Sequence, residues 1–254
     1  SPSVTEKYQD KRNDIINVKD KVIEFETGNV LIGSVSRLYM SNKCLLIADH
    51  KSVDKQIHIF NKNDFSYLTS IGNFGEGPEE ITVMGCLAID EAHHQLYVSD
   101  HAKQKIFSYD MDSVMVDSLY KPQVKTAMNE TLFPSEYQYI NDTLSIAVLI
   151  KPTSTSTFNQ FLGRWNMNTG EMIPMKYTHP DIQKKRITFA ASEKAGIYVE
   201  CYTRHDLMTI CSLDGELLYN IYGPDWDGGN GNKLQSFGTV MIGNDKIFVS
   251  YCGE

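Results

Sequence analysis

No run of apolar residues in this chain approaches the roughly 20 that a membrane-crossing helix requires, which excludes a helical span. Helical periodicity is not sustained over 11 or more residues anywhere, which excludes bundles and helical repeats. Basic residues are the minority, 24 Lys and Arg against 32 Asp and Glu, for a formal net charge of -8. Proteins that grip a phosphate backbone need a basic face. The longest basic cluster is Lys184-Lys185-Arg186, so no nucleic-acid partner is expected. Cysteine is scarce and odd in number, at Cys44, Cys86, Cys201, Cys211 and Cys252, with no C-x-x-C and no zinc spacing. Most of the five lie in strand-like apolar runs, where a free thiol packs as a small hydrophobe. A turn near Arg204-His205 sets Cys201 opposite Met208 rather than Cys211, and all five are expected to be reduced.

Catalytic signatures are missing too. There is no Gly-x-Ser-x-Gly elbow and no His-Glu-x-x-His. The Gly-rich stretch Gly72 to Pro78 lacks the Gly-Lys-Ser/Thr ending of a phosphate loop and reads as a connector. Glu79-Glu80 could be an acid/base pair only if both pointed one way, and neighbours on a strand do not. What is present is ordinary for a large globular domain: 41% hydrophobic and 22% charged residues, enough apolar matter for one sizeable core.

The main positive signal is a repeat. An apolar strand with a polar tip recurs as Leu45-Leu46-Ile47-Ala48-Asp49, Leu96-Tyr97-Val98-Ser99-Asp100, Leu144-Ser145-Ile146-Ala147, Ile197-Tyr198-Val199-Glu200 and Ile247-Phe248-Val249-Ser250. Measured from Leu46, Leu96, Leu144, Ile197 and Ile247, the steps are 50, 48, 53 and 50 residues. After each of the first four comes a bulky residue, a small polar one and a turn: Phe60-Asn61, Tyr109-Asp110, Trp165-Asn166 and Cys211-Ser212. Asn, Asp and Gly at those turns tolerate the left-handed backbone of tight hairpins. A further strand-like run follows each turn, as in Val114 to Tyr120 and Glu216 to Tyr222, and another precedes each marker, as in Gly85 to Asp90. Each unit therefore predicts four antiparallel strands, one blade of an all-β propeller. About four and a half such blades fill residues 21–254, behind a polar tail over residues 1–20. The fifth unit has only its first two strands, so the natural chain is expected to continue, since an open ring leaves exposed edges. Lys21-Val22-Ile23-Glu24-Phe25 is expected to be the outermost strand of the last blade.

Leu96 to Asp100 followed by Lys105 to Asp110 resembles the NHL-type blade, in which an aspartate ends strand two and a basic residue opens strand three. The loop Gly72 to Glu80 is similar to the connector of the six-bladed TolB-like propellers, common among predicted lipoproteins of gut Bacteroidetes. The resemblance covers residues 20–254. It implies a ring of six blades, about 75 residues more than are present, and an exported location, periplasmic or anchored at the outer membrane. Two departures stand out: Lys151 to Gln160 replaces a short loop with a longer Thr/Ser-rich one, and the fourth unit has Glu200 near the place of the Asp.

Ligands of propellers usually meet the loops of one rim, those joining strand two to three and strand four to the next blade. Asp49-His50 and Asp100-His101 fall on that rim, with Arg204-His205 at the matching place in blade four. Converging imidazoles and carboxylates could hold a divalent ion; alternatively, Asp49 and Asp100 bond their own loop backbone, as Asp does in turns. Asp225-Trp226-Asp227-Gly228-Gly229-Asn230 hints at a calcium loop but has Ser236 where an EF-hand requires Glu. Trp226 could grip a sugar or a protein, or pack between blades. The expectation is a binding scaffold without resident cofactor whose rim meets a protein or a glycan. A calcium-dependent lactonase or hydrolase at the channel mouth, or a structural part of a larger assembly, is the alternative.

Overall fold

The runs that carry apolar residues without alternation become second strands covered on both faces. In the computed structural model, which describes residues 3–231 and 236–252, Cys44 to Asp49 are buried at every position and Leu96 to Asp100 likewise. The first blade is β2 (Ser36–Met40), β3 (Cys44–Asp49), β4 (Lys55–Asn61) and β5 (Tyr67–Asn73), preceded by a short β1 (Glu6–Tyr8). The second is β6 (Met84–Asp90), β7 (Gln95–Asp100), β8 (Lys105–Asp110) and β9 (Gln123–Ala127). The third is β10 (Phe133–Asn141), β11 (Leu144–Pro152), β12 (Phe158–Trp165) and β13 (Met172–Pro174). The fourth is β14 (Ile187–Ser192), β15 (Ile197–Tyr202), β16 (Leu207–Ser212) and β17 (Leu217–Tyr222), and the pair β18 (Phe237–Gly243) and β19 (Lys246–Tyr251) follows. Strands within each blade run antiparallel in sequence order, the all-β propeller organisation that the repeat predicts.

Blades meet face to face, and the core is a series of layers between them. Leu46, Ile57 and Ile59 of blade one pack with Leu96, Val98 and Phe107 of blade two. Tyr97 of blade two, Tyr137, Tyr139 and Trp165 form the next layer, with Trp165 edge-on to Tyr137 at 5.1 Å. The first strands of successive blades approach one another, β6 with β10 and β14 with β18, and so form the inner wall. Polar side chains staple that wall. Gln138 receives the Ala191 N–H (3.1 Å) and donates to the Ala191 carbonyl (2.7 Å), Thr188 donates to the Gly238 carbonyl (2.6 Å), and Arg37 pairs with Glu136. Cys201 lies opposite Met208, as the turn position predicts, and all five cysteines are free. Burial pushes the Cys86 thiol up to about 12 and Cys211 up to about 11, consistent with inert packing residues.

The structure departs from the sequence reading in three places. Val114 to Tyr120 does not contain a strand: Asp110 accepts the Ser113 N–H (2.8 Å) and so caps a short helix, α1 (Met111–Val116), before the fourth strand begins at Gln123. Within the segment read as a polar tail, β1 pairs in parallel with β17 as a fifth strand of blade four. Finally, Lys21 to Phe25 is not an outermost strand. A 3-10 turn spans Lys19–Lys21, and Phe25 instead stacks on Phe65 (4.6 Å, 9°) and meets Phe60 edge-on. The apolar side chain is drawn to cover Leu45, Ile47 and Phe60 on the open face of blade one.

The layered core makes a mutational contrast. Trp165→Ala is expected to cost about 3–5 kcal/mol, since the indole is 1% exposed and fills an inter-blade layer. Leu38→Ala, at a site 64% exposed, is expected to stay within about 0.5 kcal/mol in the same urea titration. Equal losses would contradict the layer assignment.

Candidate functional site

The rim residues singled out in the sequence are set by one device, an aspartate at the end of strand two. Asp100 is fully buried. Its carboxylate accepts N–H groups of Thr82 (2.8 Å), Val83 (3.1 Å), Ala102 (3.0 Å) and Lys103 (3.2 Å), with the Lys103 ammonium 3.5 Å away. Lys103 also donates to the Glu80 carbonyl (2.8 Å) and to Thr82 Oγ1 (2.7 Å), so the Gly72 to Glu80 connector is clamped from inside its own blade. Asp49 does the same job in blade one, taking Gly33 N–H at 2.8 Å and Lys51 N–H at 3.1 Å. Both carboxylates hold the lead-in to the first strand against the loop after the second. Their acceptor positions are taken by backbone N–H groups and, at Asp100, by the Lys103 ammonium.

The residue after each aspartate bonds that lead-in through its own N–H: His50 to the Val35 carbonyl and His101 to that of Val83. The same bond in blade four runs from Thr203 to Arg186, so Thr203 holds the histidine position, and Arg204-His205 lies further along the loop. His50 donates from Nδ1 to the Met84 carbonyl (3.2 Å). His101 meets Phe133 edge-on at 5.6 Å and lies over Gly85, where a Cβ would come within 2.4 Å of Nε2, so a side chain there would displace the ring. Arg204 is exposed, whereas His205 is 6% exposed. Trp226 is half-buried in an aromatic cluster with Tyr222 (4.9 Å), His179 (5.6 Å) and His205 (6.1 Å). The rim histidines are therefore brought to two places, His50 and His101 beside the Met84-Gly85 peptide and His205 beside Trp226. Asp225, in the stretch that hints at calcium, accepts the Tyr251 hydroxyl (3.0 Å). Among the described residues no group of three or more His, Cys, Asp or Glu side chains converges as a metal site.

Beside Trp226 lies a network that sequence reasoning missed. Asp181 N–H donates to His179 Nδ1 (3.2 Å), which leaves the proton on Nε2 to donate to the Tyr222 hydroxyl (2.7 Å). Tyr222 donates in turn to Glu6 (2.7 Å), and Asn220 donates to Glu6 at 3.2 Å. Burial opposes ionisation of Glu6, but the bonds from Tyr222, Thr5 and Asn220 outweigh it and hold the carboxyl below its ordinary range. Arg12 pairs with the buried Asp206 and stacks on Tyr251 at 3.7 Å. Residues 6–12 thus form a strap across blade four to β19. Nothing in a polar tail marks Glu6 or Arg12 for this, because their partners are some 200 residues away in sequence.

The exposed part of the rim is elsewhere. The hairpin of β11 and β12 carries the longer Thr/Ser-rich loop, and Lys151 to Asn159 are all exposed. Its tip is ordered by Thr153 N–H to the Thr157 carbonyl (2.9 Å) and by hydroxyl bonds of Thr153 and Ser154 to Thr157, each 2.7 Å. Gln160 at its base accepts the Ile187 N–H (2.9 Å), and Arg186 stacks on Phe158 at 4.3 Å. On the outer surface, a hollow of about 460 Å³ is lined by Arg164, Lys176, Asp214 and Glu216, whose charges pair with one another.

The profile of the family DUF5128, described as a 6-bladed beta-propeller, matches residues 3–202. Among solved structures, the chain is similar to a protein of Bacteroides fragilis NCTC 9343 inferred to be exported (TM-score 0.58, 15% identity), over 98% of this chain and 74% of that one. It is also similar to a member of the DUF4221 family from Bacteroides vulgatus ATCC 8482 (TM-score 0.51, 11% identity), over 72% of this chain and 56% of that one. A chain of the nidogen/laminin complex is a third (TM-score 0.52, 10% identity), over 83% and 68% respectively. At these identities the likeness is one of fold. No curated protein matches the sequence.

The imidazoles of His58, His101, His179 and His205 all have pKa values below the ordinary 6.5, with burial the leading cause at each. The unfolded chain takes up protons that the folded one refuses, so this stability is complete above about 6.5 and falls as pH drops towards the lowered folded values. Urea midpoints are expected to fall from pH 7 to about pH 5.5, and His101→Gln to flatten part of that slope. A flat or inverted profile for the parent would contradict the burial of these rings.

Proposed function

The chain belongs to the DUF5128 family of six-bladed β-propellers, and on that premise we propose that it is a non-enzymatic binding scaffold working through one rim. The observation that carries this is the β11–β12 hairpin, whose exposed stretch Lys151 to Asn159 stands on a blade with a fully packed core. Loops carried by a rigid scaffold are the usual site of recognition. The rim carboxylates support the same reading from the other side. Asp49 and Asp100 are buried and hold backbone N–H groups, so they serve the blade, and what remains to meet a partner is the hairpin together with Arg204 and the half-buried Trp226. The partner class is a protein or a glycan. The place of action is outside the inner membrane, periplasmic or held at the outer membrane by a lipid anchor. Support for that comes from the occurrence of the same fold in a Bacteroides fragilis protein inferred to be exported.

The test replaces Thr153 to Thr157 by Asn-Gly, a two-residue turn that suits a hairpin. Parent and variant are then compared on arrays of surface glycans and exported proteins. Ligands retained by the parent are expected to be lost by the variant, with the thermal midpoint moving by no more than about 3 °C. Retention unaffected by the exchange would overturn the rim assignment. A calcium-dependent rise of the midpoint, worth about 2.7 kcal/mol at 100 times the dissociation constant, would overturn the non-enzymatic reading in favour of a metal-dependent site.

A further inference from the structure

Acidic residues are the commoner charge in this chain, yet none occurs between Thr143 and Gly170, and none between Ile182 and Ser192. The fold brings these two stretches together. Gln160 bonds the Ile187 N–H (2.9 Å), Arg186 lies over Phe158 (4.3 Å), and Thr203 bonds the Arg186 carbonyl (2.8 Å), which sets Arg204 beside them. Lys151, Lys184 and Arg204 are exposed on this part of the rim, and Arg186 is half-buried with its Nη1 fixed on the Lys185 carbonyl (2.7 Å). Lys185 itself is turned inward to the buried Glu200 (3.3 Å) and contributes no charge outside. The result is a cationic patch on a chain of net charge -8. It is edged by the Ser/Thr hydroxyls of residues 153–157 and by Phe158.

We infer that this patch, at the rim of blades three and four, binds an acidic polysaccharide, one bearing carboxylate or sulfate groups. The inference rests on the binding-scaffold reading and names its partner class. A guanidinium seated over an aromatic ring, with Nη1 fixed on a backbone carbonyl, is held in place and keeps its remaining N–H groups for a carboxylate or a sulfate. Free lysines nearby supply further charge, and the hydroxyl run offers neutral donors and acceptors that match sugar hydroxyls. Duplex nucleic acid fits poorly. Its charge recurs every 1.7 Å or so along the axis and calls for a long basic track, whereas the patch has four cations and one exposed ring.

The probe is polygalacturonate, measured by biolayer interferometry on the immobilised protein, beside neutral dextran and a DNA duplex. Parent protein is expected to bind polygalacturonate in a salt-sensitive manner and to ignore dextran. The double variant Lys151→Glu/Lys184→Glu, at two exposed positions, is expected to weaken binding by about tenfold or more. Lys43→Glu/Lys194→Glu, exposed on turns of the opposite rim, should stay within about twofold of the parent, which separates a local patch from net charge. Equal effects of the two double variants, equal binding of dextran, or a preference for the duplex would each overturn the inference. If polygalacturonate is ignored while the hairpin exchange still abolishes another ligand, the acidic class is wrong and the scaffold stands. If no ligand depends on the rim, both fall.

Discussion

Every blade here must cover both faces of its middle strands with its neighbours, and the remaining features of the molecule follow from that packing rule. It selects unbroken apolar second strands such as Cys44 to Ala48 and Ile146 to Leu149, where a sheet with one wet face would alternate. It places the large aromatics, Tyr97, Trp165, Tyr198 and Tyr202, in the layers between blades. It also leaves the loops at the two rims as the places where chain can vary without disturbing a layer.

Polar groups that enter such a stack must find partners inside it. The solution repeated in blades one and two is an aspartate that gathers backbone N–H groups from both sides of the rim, Asp49 with two and Asp100 with four. Between blades three and four the solution is a network, in which Lys185 pairs with Glu200, Thr209 donates to Asn220, and Glu6 accepts from Tyr222. The strap from Glu6 to Arg12 is a consequence, because β17 offers an edge and the network offers a seat for one carboxylate. These groups are committed to the scaffold, and what projects from it on this rim is the β11–β12 hairpin.

Much of this was legible in the residues. The step of about 50 positions, with its apolar strand and polar turn, is imposed by the repeated layer and is therefore printed in the chain. Asp49 and Asp100 were visible as a repeated rim feature, and backbone bonding in turns, the less chemical of their two readings, describes what they do. The cysteine register was readable from one turn, since pairing of period two fixes every later partner. Other features were beyond local pattern. The short helix after Asp110 depends on a single cap bond. The seats of Glu6, Arg12 and Phe25 depend on groups far away in sequence. Thr203 rather than His205 takes the histidine position because β15 ends at Tyr202, as β3 and β7 end at Asp49 and Asp100, and the strand's end is not marked by an aspartate there. The patch at blades three and four was half visible: Lys184 to Arg186 and the long loop Lys151 to Gln160 could each be read, but not that the fold joins them.

The buried carboxylates of the rim hold backbone rather than ligand, and hydrogen exchange read residue by residue tests this most directly. The amides of Thr82, Val83, Ala102 and Lys103, all held by Asp100, should exchange as slowly as the strand amides beside them, and Asp100→Asn should speed those four while leaving residues 153–157 unchanged. Fast exchange of these amides in the parent, at the rate of an open loop, would show that Asp100 is not committed to the backbone and would return it to the list of ligand-binding candidates.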